Sequence, residues 1–234
     1  ADDNDNGTET ITVAGAISNV NDATLQGGGT GTNDTIDINA DISTTAGNLN
    51  IQSANQVTID ASAARALTSA GALNINTNVT GIQLDGGSNT VTLASGGDND
   101  VKLAAVTDDG AGGNAASLTV NSEGTINSST ISLDDTTDGS LSLTVDSDDA
   151  DAEAETLTVG GGISNVNDIT LSGGFSANSD DIIDINANIV TTGGGITIQD
   201  ADRVDIDASA ARALTAVGNI AITSNIDGIS LDNG

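Results

Sequence analysis

The chain has 234 residues with 34 acidic and 4 basic side chains, a formal net charge of −30, 29 glycines, and no His, Cys, Met, Pro, Trp or Tyr. Without Cys or His there can be no Cys–His pair, no Ser–His–acid triad and no imidazole zinc site, and so acidic a chain with no aromatic stacking platform is unsuited to nucleic acid. No apolar run is long enough for membrane insertion, and the lack of an initiator Met or signal peptide is what a mature product or an excised segment would show.

Acidic chains rich in Gly, Ser and Asn are often disordered. Here 36% of the residues are hydrophobic and strongly patterned, which argues for a packed core. An apolar–polar–apolar triplet recurs from one end to the other. In chain order it reads ITV (11–13), ATL (23–25), IDI (36–38), LNI (49–51), VTI (57–59), LNI (73–75) and IQL (82–84). It continues through VTL (91–93), VKL (101–103), LTV (118–120), ISL (131–133), LSL (141–143) and LTV (157–159), then ITL, IDI, ITI, VDI, IAI and ISL. Period-two alternation rich in Ile, Val and Thr predicts short strands. The Gly, Asn, Asp and Ser between them predict turns. The best helix candidate, ASAARAL (61–67), is short and lies between strands.

A longer period overlies the first. ISNVND at 17–22 returns at 163–168, an offset of 163 − 17 = 146. VTIDASAARALT at 57–68 returns as VDIDASAARALT at 204–215, an offset of 204 − 57 = 147, with 11 of 12 positions identical. The expected organisation is one full repeat over 1–146 and a partial second copy over 147–234. The second copy stops at LDNG (231–234), the counterpart of LDGG (84–87), as a slice of a longer repetitive polypeptide would.

Short strands and turns over the whole length suit a string of β-sandwich modules or a parallel β-solenoid. A sandwich core about 10 Å thick is usually filled by bulky residues, aromatics among them. A solenoid core is narrow, and Ile, Val, Leu and Ala fill it when like residues stack at the strand spacing of about 4.8 Å. The steps 36→57 and 183→204 suggest turns of roughly 20 to 25 residues, and ten or so of them would make a rod about 50 Å long. The expected fold is all-β, a right-handed parallel β-solenoid.

The segments AGNLNIQSANQVTIDASA, SAGALNINTNVTGIQL and GGGITIQDADRVDIDASA resemble the repeats of large bacterial exoproteins of the filamentous-haemagglutinin type. The resemblance implies a right-handed parallel β-helix exported to the cell surface, commonly as an adhesin or fibre.

Calcium is the candidate cofactor, with tight-turn chemistry the preferred reading of the same glycine loops. GGDNDVKL (96–103), GGSNTVTL (86–93) and GGTGTNDTI (28–36) resemble degenerate glycine–aspartate nonapeptides of calcium-binding β-rolls, in which close turns bring oxygen ligands around the ion. The candidate ligands are Asp98, Asn99 and Asp100 in the first loop, and Asn33 and Asp34 in the third. Asp2, Asp3 and Asp5 recur as Asp148, Asp149, Asp151, Glu153 and Glu155 in a second acidic run, where calcium would stiffen a junction. A solvated acidic loop is the alternative there.

The basic residues are Arg65, Lys102, Arg203 and Arg212. Arg65 and Arg212 are repeat equivalents near Asp60 and Asp207, as structural ion pairs would be, so no catalytic centre is expected. Regular Thr rows on a flat solenoid face can bind ice. The outward positions Thr12, Thr24, Thr58, Thr92, Thr119 and Thr197 alternate along the chain with Asp, Asn, Ser, Gln and Lys, so β-propensity is the preferred explanation. The composite expectation is a non-enzymatic extracellular fibre or matrix filament whose partners are copies of itself and calcium ions. The alternatives are the stalk of a cell-surface adhesin or a surface-layer protein.

Overall fold

A computed structural model describes residues 7–28, 33–110, 115–133, 139–146, 154–174, 180–223 and 225–232. Its 27 short strands form three nine-stranded sheets, each taking every third strand of the chain. All neighbours pair parallel, and every circuit of the chain visits the three sheets once. We call these faces A, B and C, beginning with Thr10–Val13, Ile17–Val20 and Ala23–Gln26. The architecture is a three-sided parallel β-solenoid of nine turns, all-β and without helix among the described residues.

Alternation dictates what fills it. Inward positions stack aliphatic on aliphatic: on face B, Ile42, Leu67, Leu93, Val120, Leu143, Leu171 and Ile198 follow one another in register. Each is fully buried, and burying a side chain of this size contributes about 1.5–3 kcal/mol. The expected stacks Ile36 on Val57 and Ile183 on Val204 are both present. Turn length varies more than expected, from 57 − 36 = 21 residues to 163 − 131 = 32 between Ile131 and Ile163.

Corners are closed by two devices. The last inward position of a strand is often a buried hydroxyl that donates to a carbonyl of the following turn, as Thr44 does to Gly47 (2.6 Å), Ser69 to Ala72 (3.0 Å) and Thr191 to Gly194 (2.8 Å). Ser95 and Ser122 also touch each other at 2.9 Å across adjacent turns. The second device is a left-handed residue between strands, recurring with the repeat at Ser53 and Asp200 and at Asn78 and Asn225; Asn19 and Asn165 are left-handed within the strands Ile17–Val20 and Ile163–Val166, where the ladder register shifts. Short polar side chains adopt positive φ at least cost.

The sheets run without interruption across residue 146: Leu141 pairs with Ile169, and Ile126 with Leu157. Equivalent strands of the two copies nevertheless lie on different faces. Ile17–Val20 is on face B and its counterpart Ile163–Val166 on face A; Ala54–Asp60 is on face A and Ala201–Asp207 on face C. The repeat spans 17 strands, five turns and two strands, so the second copy is displaced by one face around the axis.

Candidate metal centre

Asp146, Glu155 and Asp181 are all buried, and one carboxylate oxygen from each lies within 4.8 Å of the others. Glu155 and Asp181 immediately precede the strands Thr156–Val159 and Ile182–Ile185, which pair on face C. Since Leu157 and Val159 point inward, so does Glu155; the parity of Ile183 and Ile185 turns Asp181 inward too. Asp146 reaches the same corner by another route, because its φ of 43° turns the chain after Val145. The Glu155 N–H donates to Asp181 Oδ1 at 3.1 Å, and the Asp181 N–H to Asp202 Oδ2 at 2.9 Å.

Half of this arrangement exists in the first copy. Glu9 and Asp34 are the repeat equivalents of Glu155 and Asp181. The Glu9 N–H again donates to Asp34 Oδ1 at 3.1 Å, while the Gly28 N–H donates to Asp34 Oδ2 at 2.5 Å. Counting back 146 residues from Asp146 passes residue 1.

Two carboxylates 4.8 Å apart repel by about 3 kcal/mol at an effective dielectric of about 20, so three cannot all carry charge in a buried corner unless something neutralises them. Protons can do this, and so can a hard divalent cation. The donors are all oxygen and the chain has no Cys or His, which fits calcium or magnesium chemistry rather than zinc or copper.

The residues expected to bind calcium are distributed differently. Asp34 is wholly buried in the first-copy corner, but its neighbour Asn33 is exposed. Asp98, Asn99 and Asp100 share one turn, with Asp98 left-handed at φ 57°. Asn99 Nδ2 donates to the Gly96 carbonyl at 2.8 Å. Asp100 accepts from the Thr125 N–H at 3.3 Å and pairs with Lys102 Nζ at 3.0 Å. Asp2, Asp3, Asp5, Asp148, Asp149, Asp151 and Glu153 lie outside the described residues. Sequence reasoning passed over Glu9, Asp146 and Asp181 as ligands, and placed Glu155 only in the general acidic run. For three of them the signal was available: extending the alternation one step back from each strand turns Glu9, Glu155 and Asp181 inward.

The two expected ion pairs are formed. Arg65 Nη2 meets Asp60 Oδ2 at 2.5 Å, and Arg212 meets Asp207 in the same way. Burial pushes the Asp60 carboxyl up, but the Ser62 hydroxyl and N–H and the Arg65 guanidinium outweigh it and hold it below the usual range. The Ser209 hydroxyl and N–H, with Arg212, hold Asp207 at about 2. Asp85 stacks on Asp60 and is raised, by burial first and then by its hydrogen bond and charge contact with Asp109.

Comparison with protein families, with curated proteins and with solved structures finds no match for this chain. No helix of the described residues is long and apolar enough to cross a membrane.

Proposed function

We propose that this chain is a non-enzymatic structural segment of a bacterial extracellular fibre or matrix filament, in which solenoid turns stack end to end and calcium neutralises the interior carboxylates. One observation carries the reading: the ladders pass in register from the first copy of the repeat into the second, Leu141 against Ile169 and Ile126 against Leu157, so successive copies stack turn on turn with no boundary between them. Parallel edges that join copy to copy in this way favour the same stacking between further copies. Location at the cell surface rests on the resemblance to filamentous-haemagglutinin-type repeats. The calcium reading rests on the buried Asp146, Glu155 and Asp181 cluster and its half-copy at Glu9 and Asp34.

The test is electron cryo-microscopy of the chain with calcium and after chelation. Continuous filaments with an axial repeat near 4.8 Å, softened or dissolved by chelation, are the expected result. Single rods that never join would favour an adhesin stalk, and flat lateral arrays a surface layer. Filaments indifferent to chelation would remove calcium from the reading and leave the corner carboxylates protonated.

A further inference from the structure

The outward residues look irregular along the chain, but the fold sorts them by face. Lys102, Asp184 and Asp205 fall on face C and Asp37 on face A. On face B, the six successive strands Thr90–Ser95, Ser117–Asn121, Leu141–Thr144, Ile169–Ser172, Ile196–Gln199 and Ile220–Ile222 contain no charged residue. In a chain with 34 acidic residues, this is a neutral window six turns long.

Hydroxyls fill it in ranks. Thr92, Thr119, Ser142, Thr170 and Thr197 are paired one above another. Thr90 and Ser117 form a second rank on one side of that row; on the other, Asn121 and Thr144 stack and Ser172 above them is buried. The register is unbroken throughout, whereas the ladders from Ile17 to Val20 and from Ile163 to Val166 each contain a shift. Asp168 borders the window at the corner, held by the Gly195 N–H at 2.8 Å and by Asn167.

We infer that face B is a binding surface for crystalline water. Tetrahedral hydrogen bonding at about 2.75 Å places next-nearest oxygens about 4.5 Å apart. Strand spacing places successive hydroxyls of the central rank about 4.8 Å apart. The rank therefore offers oxygens at nearly the interval of an ice-like net, and the six strands themselves carry no charged side chain. Other occupants fit less well. Sugar rings favour aromatic platforms, which these strands lack. The window is roughly 29 Å by 13 Å, on the order of 400 Å², about half of the ~800 Å² per partner that a stable protein interface buries. This inference is independent of the fibre reading, because a single rod displays the face.

The experiment is inhibition of ice recrystallisation by the 234-residue chain, compared with Thr119→Lys and Asn127→Lys. Asn127 is exposed on face C beside Lys102, so a lysine there serves as a control. The unmodified chain and Asn127→Lys are expected to arrest crystal growth, and Thr119→Lys to lose that arrest with an unchanged circular dichroism spectrum. Thr119→Val keeps the shape, removes the central hydroxyl and is expected to weaken the arrest even if Thr119→Lys fails to fold. Three outcomes would overturn the inference: no arrest by the unmodified chain, equal arrest by all variants, or a sedimenting dimer that Thr119→Lys abolishes, which would assign the face to a second copy.

Discussion

The two copies of the repeat are nearly the same text in two settings. Over 57–68 and 204–215 they differ at one position, and both form an Asp–Arg pair at the same place. Yet equivalent strands lie on different faces, Ile17–Val20 on B and Ile163–Val166 on A, Ala54–Asp60 on A and Ala201–Asp207 on C. A strand's conformation follows its own alternation, whereas its environment follows the turns above and below it. The copied unit is thus not the stacking unit, since 17 strands do not divide into whole turns.

The largest break in the comparison is expected in the core. Leu84→Ala should cost about 2–5 kcal/mol in urea unfolding, whereas Leu231→Ala in the single chain should stay within about 0.5 kcal/mol. If filaments form as proposed, Leu231→Ala in the filament should approach the cost at Leu84, read as a raised critical concentration for assembly.

The corners should differ next. In calcium, Asp181→Asn should lower stability by about 1–3 kcal/mol by removing a ligand of the trio. In chelator, the same change should be neutral or stabilising, because it relieves repulsion. Asp34→Asn should show a smaller calcium-dependent difference, and thermal unfolding with and without calcium measures both.

Asn19→Ala and Asn165→Ala probe a left-handed kink inside a strand, at a register shift that both copies share. Each should cost about 1–2 kcal/mol, because the left-handed conformation penalises an alanine Cβ. Unequal costs measured by denaturant unfolding would show that the faces, not the kinks, set local stability.

The smallest effects concern pH. Asp207 sits at about 2, below its ordinary 3.8, so its stabilisation is complete above about 4 and is lost as pH falls through 2. Asp207→Asn should therefore flatten the decline in melting temperature between pH 4 and 2. Asp85 has the opposite sign: its raised carboxyl favours folding most below 3.8, and the benefit fades as pH rises through the folded value. Asp85→Asn should accordingly raise the melting temperature slightly at pH 7.

The strands that could be read from sequence are those whose two inward positions are both aliphatic, such as Ile36 with Ile38 or Leu118 with Val120. Strands such as Ile42–Thr44, Ala105–Asp108 and Ile126–Ser128 were harder to see. Their second inward residue is Thr44, Asp108 or Ser128, a buried polar group that interrupts the apolar alternation. The buried carboxylates are half-hidden for the same reason: Asp181 looks like a turn residue until the alternation is carried past the end of the strand, and Asp34 stands out only as a turn ligand, not as an inward carboxylate. The neutral face could not be read at all, because which outward residues become neighbours depends on turn lengths, and those vary from 21 to 32 residues.

The 17-strand spacing also bears on how such a chain would meet its surroundings. In a tandem array, each repeat would advance about 27 Å along the rod and turn by a third of a revolution, regaining its starting orientation after three repeats and 17 turns, about 82 Å. Any epitope carried once per repeat would then trace a screw around the rod. No side of the array would be privileged: antibodies, enzymes or neighbouring rods would find the same feature from every direction, at regular axial steps.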